Sequence, residues 1–523
     1  MASLSQIHPQ VTPLPLAEAL ADIEEWEVDP EGVVPDEQPL VTGVTVSTQD
    51  IEPGWIFVGV PGMNRHGASL AYAAKAAGAV ALVTDEEGAA LARPTGLPTA
   101  VVADPRRAAG LIAKRIFATD QRDLLLVGVT GTNGKTTTTY LTRAALKPLV
   151  GPMGLFGTLE VDTGVVRIFS ERTTQEAPVV HRALAQTAQA DLKGAVVEVS
   201  SHALSLDRIV GVRFSLVIFT NLQHDHLDFY GDMENYFAAK ASLITPKWAE
   251  QAVVAVDDEY GRRLVSDPQV PMQAVQVLTN DAVDTGDVPL WRVKDIRPDP
   301  SIGGSSFTLL SPTGEHYEAA CAMPGRVNVQ DAALALVGAH ALGASLEEAA
   351  QALVEAAPIP GRMQWIPHSP KKPSVIVDYA HTPEAIERLL VDMRPLAEGK
   401  LIAVFGTDGD RDASKRIPLA KIIAHHADVL WVTDENPRWE DAPSIRAELL
   451  EGVRAVRPDL TDVHEVTTCR RDAVREAILA AQPEDLVVLL GKGAEQYQDT
   501  RGIKHHYVEA DVAAEVLRDL PLP

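Results

Sequence analysis

Short apolar runs bounded by turn residues alternate with Ala-rich helical stretches through most of the chain. That alternation predicts an α/β protein with largely parallel sheets. Residues 55–60 read as a strand, 61–67 as a polar loop, 68–78 as a helix and 80–83 as the next strand. A strand at Thr99–Val102 and a helix over 106–117 repeat the unit. The run 124–129 is a strand that leads through a Gly-rich loop into a helix containing 140–146. Further strands end at Glu198 and cover 217–222, and Asp232 caps a helix running through Leu243. Two prolines and a glycine in Pro358-Ile-Pro-Gly-Arg-Met363 then break the helical pattern, as at a domain boundary. Beyond it, strands at 374–377, Leu401–Phe405, Val429–Val432 and Leu486–Leu490 each end in a polar loop. In a parallel sheet those four loops share one edge, where ligands bind.

Composition changes this picture little. At 523 residues the chain is too long for one core. A formal net charge of -26 argues against a nucleic-acid partner, because a phosphate backbone would be repelled. The two cysteines, Cys321 and Cys469, imply neither a disulfide framework nor a cysteine-rich metal site, which fits a reducing compartment. No stretch is apolar enough to insert in a membrane and no secretory leader is visible, so a cytoplasmic protein is expected.

The densest chemistry lies in Gly128-Val-Thr-Gly-Thr-Asn-Gly-Lys-Thr-Thr-Thr-Thr139. A Gly-rich loop between strand and helix wraps phosphate oxygens in backbone N–H groups, and the helix N-terminus adds partial positive charge. Here Gly131, Thr132, Asn133, Gly134, Lys135, Thr136 and Thr137 would cradle a nucleotide triphosphate. Lys135 would reach the terminal phosphates and Thr136 a Mg²⁺ ion. The usual pattern has glycine where Val129 stands, which makes this a variant loop. The pattern as a whole therefore predicts three domains: a smaller N-terminal α/β domain over 1–122, a central domain with a P-loop ATPase-type parallel sheet over 123–360, and a C-terminal Rossmann-like sheet over 361–523.

Other residues leave more than one reading open. Asn64, Arg65, His66 and Gly67 suit either an anion site or a solvated loop. Glu198 ends a strand where P-loop enzymes place a Mg²⁺ ligand, and equally suits a surface acid. His224 and His226 alone suggest zinc, whereas the interleaved acids favour Mg²⁺ near phosphate. Lys240 shares a helix face with Tyr236 and Leu243. A lysine there either carries its ammonium out to water or is chemically altered. In the last domain, Arg411 and Arg438 are suited to gripping a carboxylate, and Glu495 to an amine.

Taken together, Gly131-Thr-Asn-Gly-Lys-Thr-Thr137, Glu198-Val-Ser-Ser-His202, Asp225-His-Leu-Asp228, Asp378-Tyr-Ala-His-Thr-Pro383 and Asp410-Arg-Asp412 resemble the Mur ligases. These ATP-dependent amide ligases build the peptidoglycan stem peptide, and the resemblance covers nearly the whole chain. Asn436-Pro-Arg438 and Gly491-Lys-Gly493 with Glu495 resemble most the members that add a diamino acid to UDP-N-acetylmuramoyl-L-alanyl-D-glutamate. The resemblance implies ATP and Mg²⁺ as cofactors, a UDP-muramyl dipeptide and a diamino acid as partners, and a monomer. It implies that Ser47, Thr173, Thr174, Ser201 and Arg208 contact the muramyl peptide. Asn328, Arg362 and Asp378 would contact ATP beside the Gly-rich loop. Thr136, Glu198, His226 and a carbamate on Lys240 would be metal ligands, with Lys135, Lys240 and His226 catalytic. Arg411, Asn436, Arg438, Gly491 and Glu495 would bind the amino acid. A folylpolyglutamate or cyanophycin synthetase, or a P-loop kinase, accounts for fewer of these motifs.

Six positions depart from the family pattern. Val46 and Thr48 flank Ser47 where Asp and Arg are usual, Ala255 and Asp331 each replace an Asn, and Ala494 stands where His is common. Before Asn436, Glu435 replaces an Asp. Arg438 and Glu495 together favour meso-diaminopimelate, whose distal end offers a carboxylate and an amine. Lysine or ornithine lacks the carboxylate and would need a protein acid opposite Arg438, for which Glu435 and Glu440 are the candidates.

Overall fold

The computed structural model describes residues 4–33, 37–62, 64–170, 172–279, 281–299 and 302–521. The chain forms two units, one of Met1–Lys294, Leu309–Tyr317 and Gln330–Leu353, the other of Asp295–Thr308, Glu318–Val329 and Val354–Pro523. Among the described residues no helix is long and apolar enough to cross a membrane.

Besides the two-stranded pair Leu14–Pro15 and Leu40–Val41, the first unit contributes to two larger sheets. The smaller has the order Trp26–Val28, Thr99–Val102, Ala81–Thr84, Trp55–Gly59, Gly43–Thr45, and only its first pair is antiparallel. Successive residues of Trp55–Gly59 point to opposite faces: Ile56 and Val58 enter one apolar cluster and Phe57 the other. The helix expected over 68–78 is a 3₁₀ turn, Gly67–Leu70, followed by the α-helix Ala71–Ala76. His66 starts the turn, its Nδ1 accepting from Ala68 N (3.1 Å) while its Nε2 lies 3.0 Å from Asp85 Oδ1. The histidine of the open-ended loop is therefore a structural cap, and Asn64 and Arg65 are exposed.

In the central sheet, the strand Leu125–Thr130 lies between Gly194–Glu198 and Leu216–Phe219, parallel to both. Gly154–Phe156 extends it on one side, and Ala252–Ala255, Met272–Gln276 and Leu290–Asp299 on the other, all parallel. This order brings the Gly-rich loop, Glu198 and the segment 220–223 to the same edge. The helix after the loop is Lys135–Val150, longer than the apolar pattern suggests. Four consecutive threonines hide its first turn, since β-branched residues favour strands. Thr139 Oγ1 donates to Lys135 O (2.8 Å) and Thr138 Oγ1 to Asp331 Oδ1 (3.0 Å), so these hydroxyls find partners within a buried helix. The central and N-terminal sheets are tied by Arg182, 2% exposed, whose guanidinium donates to Asp50 Oδ1 (3.0 Å) and stacks on Trp55.

In the second unit the sheet order is Gln364–Trp365, Ser374–Asp378, Leu486–Leu490, Leu401–Phe405, Val429–Val432, Val463–Glu465. All neighbours are parallel except the first pair. The four polar loops do emerge at one edge, and the strand order sets which of them are neighbours.

Candidate active-site residues in the two units

Two glycines shape the phosphate loop. Gly131 has φ +147°, and a Cβ there would lie 2.0 Å from Thr220 Oγ1; Gly134 has φ +81°, and its Cβ would lie 2.5 Å from Asp331 Oδ1. Gly128 and Val129 belong to the strand, so no third loop glycine is needed at 129. The loop is pinned from the segment beside it. Thr132 N donates to Asn221 O (2.9 Å), Asn133 N to Asn221 Oδ1 (3.0 Å), Asn133 Nδ2 to Gln223 Oε1 (2.8 Å) and Thr220 Oγ1 to Asn133 O (2.6 Å). Lys135 folds back over the loop, its Nζ donating to Thr132 O (2.7 Å) and Gly131 O (3.1 Å). The result is a prearranged cradle at the N-terminus of a long helix.

Beside it, Glu198 is fully buried and accepts from Thr136 Oγ1 (3.1 Å), Thr158 N (3.0 Å) and Thr158 Oγ1 (2.9 Å). The surface-acid reading is excluded. Thr158 Oγ1 also lies 3.1 Å from Thr173 Oγ1, and Thr174 Oγ1 donates to Glu198 O (2.8 Å), so both threonines border the acid. Arg208 Nη1 donates to Thr174 O (3.3 Å) with its Nε 3.2 Å from Glu176 Oε1. Burial holds that guanidinium below its usual range. Ser201 is 1% exposed in the short helix that follows the acid. Ser47 is exposed in the turn after Gly43–Thr45, its Oγ accepting from Gln49 N (3.3 Å).

Lys240 does not reach water. It is 1% exposed, its Nζ donates to Gly131 O (2.6 Å), and the nitrogen sits 4.9 Å from the centre of the Tyr236 ring. Asp232 caps its helix, Met233–Ala241, as the pattern predicts. Burial and then the charge of Lys135 hold the Lys240 amine well below the usual lysine range. His226 lies in the left-handed region (φ +54°) and is stacked edge-on to His202, 4.7 Å between centroids. Burial lowers its basicity, against the opposing charge of Asp225. His224 is exposed, and among the described residues no group of three or more His, Cys, Asp or Glu side chains is gathered as a metal cage.

In the second unit, Asp378 is buried, its carboxylate accepting from Met363 N (2.7 Å) and Ala380 N (2.7 Å), and burial raises its pKa. Arg362 lies over the Tyr379 ring at 4.6 Å, and Asn328 Nδ2 donates to Pro324 O (2.6 Å). The loops at this sheet edge form a single network. Arg438 Nη2 donates to Asp408 Oδ2 (2.9 Å), and Asn436 Nδ2 donates to Asp408 Oδ1 (2.8 Å) and Glu495 Oε2 (3.0 Å). Lys492, fully buried, donates to Glu495 Oε2 (2.7 Å), Asn436 Oδ1 (2.9 Å) and Tyr497 O. Arg411 is exposed and stands outside this network.

The acid opposite Arg438 is therefore Asp408, neither Glu435 nor Glu440. Glu440 instead holds the buried Arg416 with two contacts of 2.7 Å. Glu435 packs beneath Gly491, where a Cβ would come within 2.3 Å of its Oε2. Asp408 and Lys492 carry no signal in the apolar pattern; a lysine between two glycines was the one visible hint. Burial, with Asp408 adding to it, pushes the Glu435 carboxyl up to about 8. Its folded value lies above the unfolded one, so its contribution to stability is present in full at acidic pH and is lost as pH rises through about 8. Glu435→Gln should remove that slope: relative to the variant, the wild type is expected to lose on the order of a few kcal/mol between mildly acidic and alkaline pH. Parallel melting curves across the range would show that Glu435 is ionised throughout.

A glycine-rich loop with a buried acid and lysine beside it, and a Rossmann-like sheet edge rich in paired charges, fit a nucleotide-dependent ligase. Family profiles agree: the Mur ligase middle domain matches residues 129–339 and the Mur ligase, glutamate ligase domain matches 361–493. The chain belongs to the Mur ligase family, ATP-dependent enzymes that form amide bonds in peptidoglycan synthesis. It is 40% identical to the UDP-N-acetylmuramyl-tripeptide synthetase of Leifsonia xyli subsp. xyli, over 99% of this chain and 98% of that one. It is 38% identical to the UDP-N-acetylmuramoyl-L-alanyl-D-glutamate–2,6-diaminopimelate ligase of Streptomyces coelicolor, covering 92% and 94% respectively. A solved structure of a ligase with that second name aligns with a TM-score of 0.65 at 26% identity, over 97% of this chain and 99% of the other.

Proposed function

We propose that this enzyme joins a diamino acid to the D-glutamate side-chain carboxylate of UDP-N-acetylmuramoyl-L-alanyl-D-glutamate, making the third position of the stem peptide. Diaminopimelate is the amino acid in the name of the Streptomyces coelicolor relative. The observation that carries the reading is the Lys135–Thr136–Glu198–Lys240 constellation around one phosphate loop. Residues 1–122 would hold the UDP moiety with Ser47, 123–360 the ATP, and 361–523 the amino acid. Thr173, Thr174, Ser201 and Arg208, gathered beside Glu198, would face the muramyl peptide. Asn328, Arg362 and Asp378 would contact the nucleotide.

A carboxylate is a poor electrophile, so the γ-phosphoryl group of ATP first transfers to it, forming an acyl phosphate and releasing ADP. Both reacting groups are anions, and Lys135 offsets their repulsion. The hydroxyl of Thr136 and carboxylate of Glu198, 3.1 Å apart, are hard oxygen donors of the kind Mg²⁺ takes. With His226 and a carbamate on Lys240 they would hold Mg²⁺, which supplies further positive charge at the phosphates. The depressed basicity of Lys240 favours the unprotonated amine, the form that carbamate formation requires. The amine of the diamino acid then attacks the acyl carbon, and the tetrahedral intermediate expels phosphate. We take the working enzyme to be a cytoplasmic monomer. Phosphate release from ATP is expected to require the muramyl dipeptide and a diamino acid together; release with either alone at the full rate would overturn the ligase reading.

A further inference from the structure

We propose that Asp408 determines amino-acid specificity by occupying the Arg438 guanidinium, so that the site takes a diamino acid whose distal end is an ammonium alone, as in lysine or ornithine. This inference rests on the ligase reading above and names the substrate class within it. A distal carboxylate, as in diaminopimelate, needs a free guanidinium to meet it. Here the Arg438 Nη2 donates to Asp408 Oδ2 at 2.9 Å, and the other oxygen of the same carboxylate accepts from Asn436 at 2.8 Å.

The backbones that carry the two partners are tied together. The Asp408 loop is sewn to the Arg438 loop by Gly409 N donating to Asn436 O (2.8 Å), Trp439 N to Asp410 Oδ2 (3.0 Å) and Asp410 N to Glu440 Oε2 (3.0 Å). At Gly409 a Cβ would lie 2.0 Å from Pro437 O, so the loops touch through backbone. Arg438 itself is clamped by its N donating to Asp499 O (3.0 Å) and its O accepting from Arg501 N (2.6 Å). A second carboxylate arriving at Arg438 would have to displace Asp408 and then lie against it, two like charges at one cation.

The surrounding charges point the same way. Lys492, the other cation of the network, is already held by Glu495 at 2.7 Å. Arg411 is exposed and forms no ion pair among the described residues, which leaves it for the one carboxylate that every amino acid carries. An ammonium, by contrast, meets two carboxylates of this network, Glu495 and Asp408. A distal ammonium is thus attracted where a distal carboxylate is repelled.

The test supplies wild-type enzyme, ATP and muramyl dipeptide with lysine, ornithine or diaminopimelate, singly and in competition, and reads tripeptide mass and kcat/KM. Lysine or ornithine is expected to exceed diaminopimelate by about tenfold or more, as differential recognition of a charged group gives. A kcat/KM for diaminopimelate equal to or above both overturns the proposal while leaving the ligase reading intact. Failure of all three to support ligation overturns both. In Asp408→Gly, which frees Arg438, the ratio of kcat/KM for diaminopimelate to that for ornithine should rise about tenfold, whatever the variant's overall activity. An unchanged ratio overturns the role of Asp408.

Discussion

Replacing Lys240 by alanine is expected to lower the ligation rate on the order of 10²–10³-fold or more, the loss seen when a preorganised charge at a reacting phosphate is removed. The amine is 1% exposed and 2.6 Å from Gly131 O, inside the loop that holds the phosphates. Added bicarbonate should not restore the alanine variant, which has no amine to carry a carbamate. Lys240→Gln and Lys240→Arg separate the two roles the side chain can play. Glutamine keeps a neutral donor toward Gly131 on a side chain one atom shorter, while arginine supplies a fixed positive charge; neither forms the carbamate. Both are expected to be as impaired as alanine while melting close to the wild type. Near wild-type turnover in the arginine variant would show that a cation suffices and sink the carbamate assignment.

The largest expected effect on stability lies in the second unit, at Glu509. Arg470 and Glu509 are both fully buried, and the guanidinium donates to the carboxylate from Nε (2.8 and 3.1 Å) and Nη2 (2.9 Å). Nη2 also donates to Leu490 O (2.7 Å), the last residue before the Gly491–Glu495 loop. Glu509→Ala leaves Arg470 buried without its counter-charge and should destabilise the second unit by about 3–5 kcal/mol. The same change should loosen the strand end that positions Lys492 and Glu495, raising KM for the amino acid more than for ATP. Replacing both partners by apolar residues of similar volume, Arg470→Met with Glu509→Leu, is expected to recover most of the stability. A loss below about 1 kcal/mol in the single variant, read by thermal melting, would mean that water or another group solvates Arg470.

Much of the architecture was legible because it is written locally. Strands at Thr99–Val102, Leu401–Phe405, Val429–Val432 and Leu486–Leu490 occupy the residues that the apolar pattern assigns to them. The Gly-rich loop, the Asp232 cap and the loops at the second sheet's edge follow from side-chain chemistry within a few residues of chain. Where a local rule is overridden, the override is tertiary: four threonines disguise the first turn of Lys135–Val150, and a buried Asp331 makes that turn workable by receiving Thr138.

By itself the sequence determined the elements, the nucleotide loop, the family and the residue types available for each role. Tertiary structure alone decided which of those residues meet. Lys240 turns toward Gly131 because packing closes its path to water. Asp408 pairs with Arg438 because Leu401–Phe405 and Val429–Val432 are neighbours in the sheet, bringing together loops that lie apart in the chain. Glu435, placed beneath Gly491 by the same sheet edge, loses the water that would keep it ionised. Periodicity records which face a residue takes, but charge partnership depends on strand order, and that depends on the packing of the whole sheet.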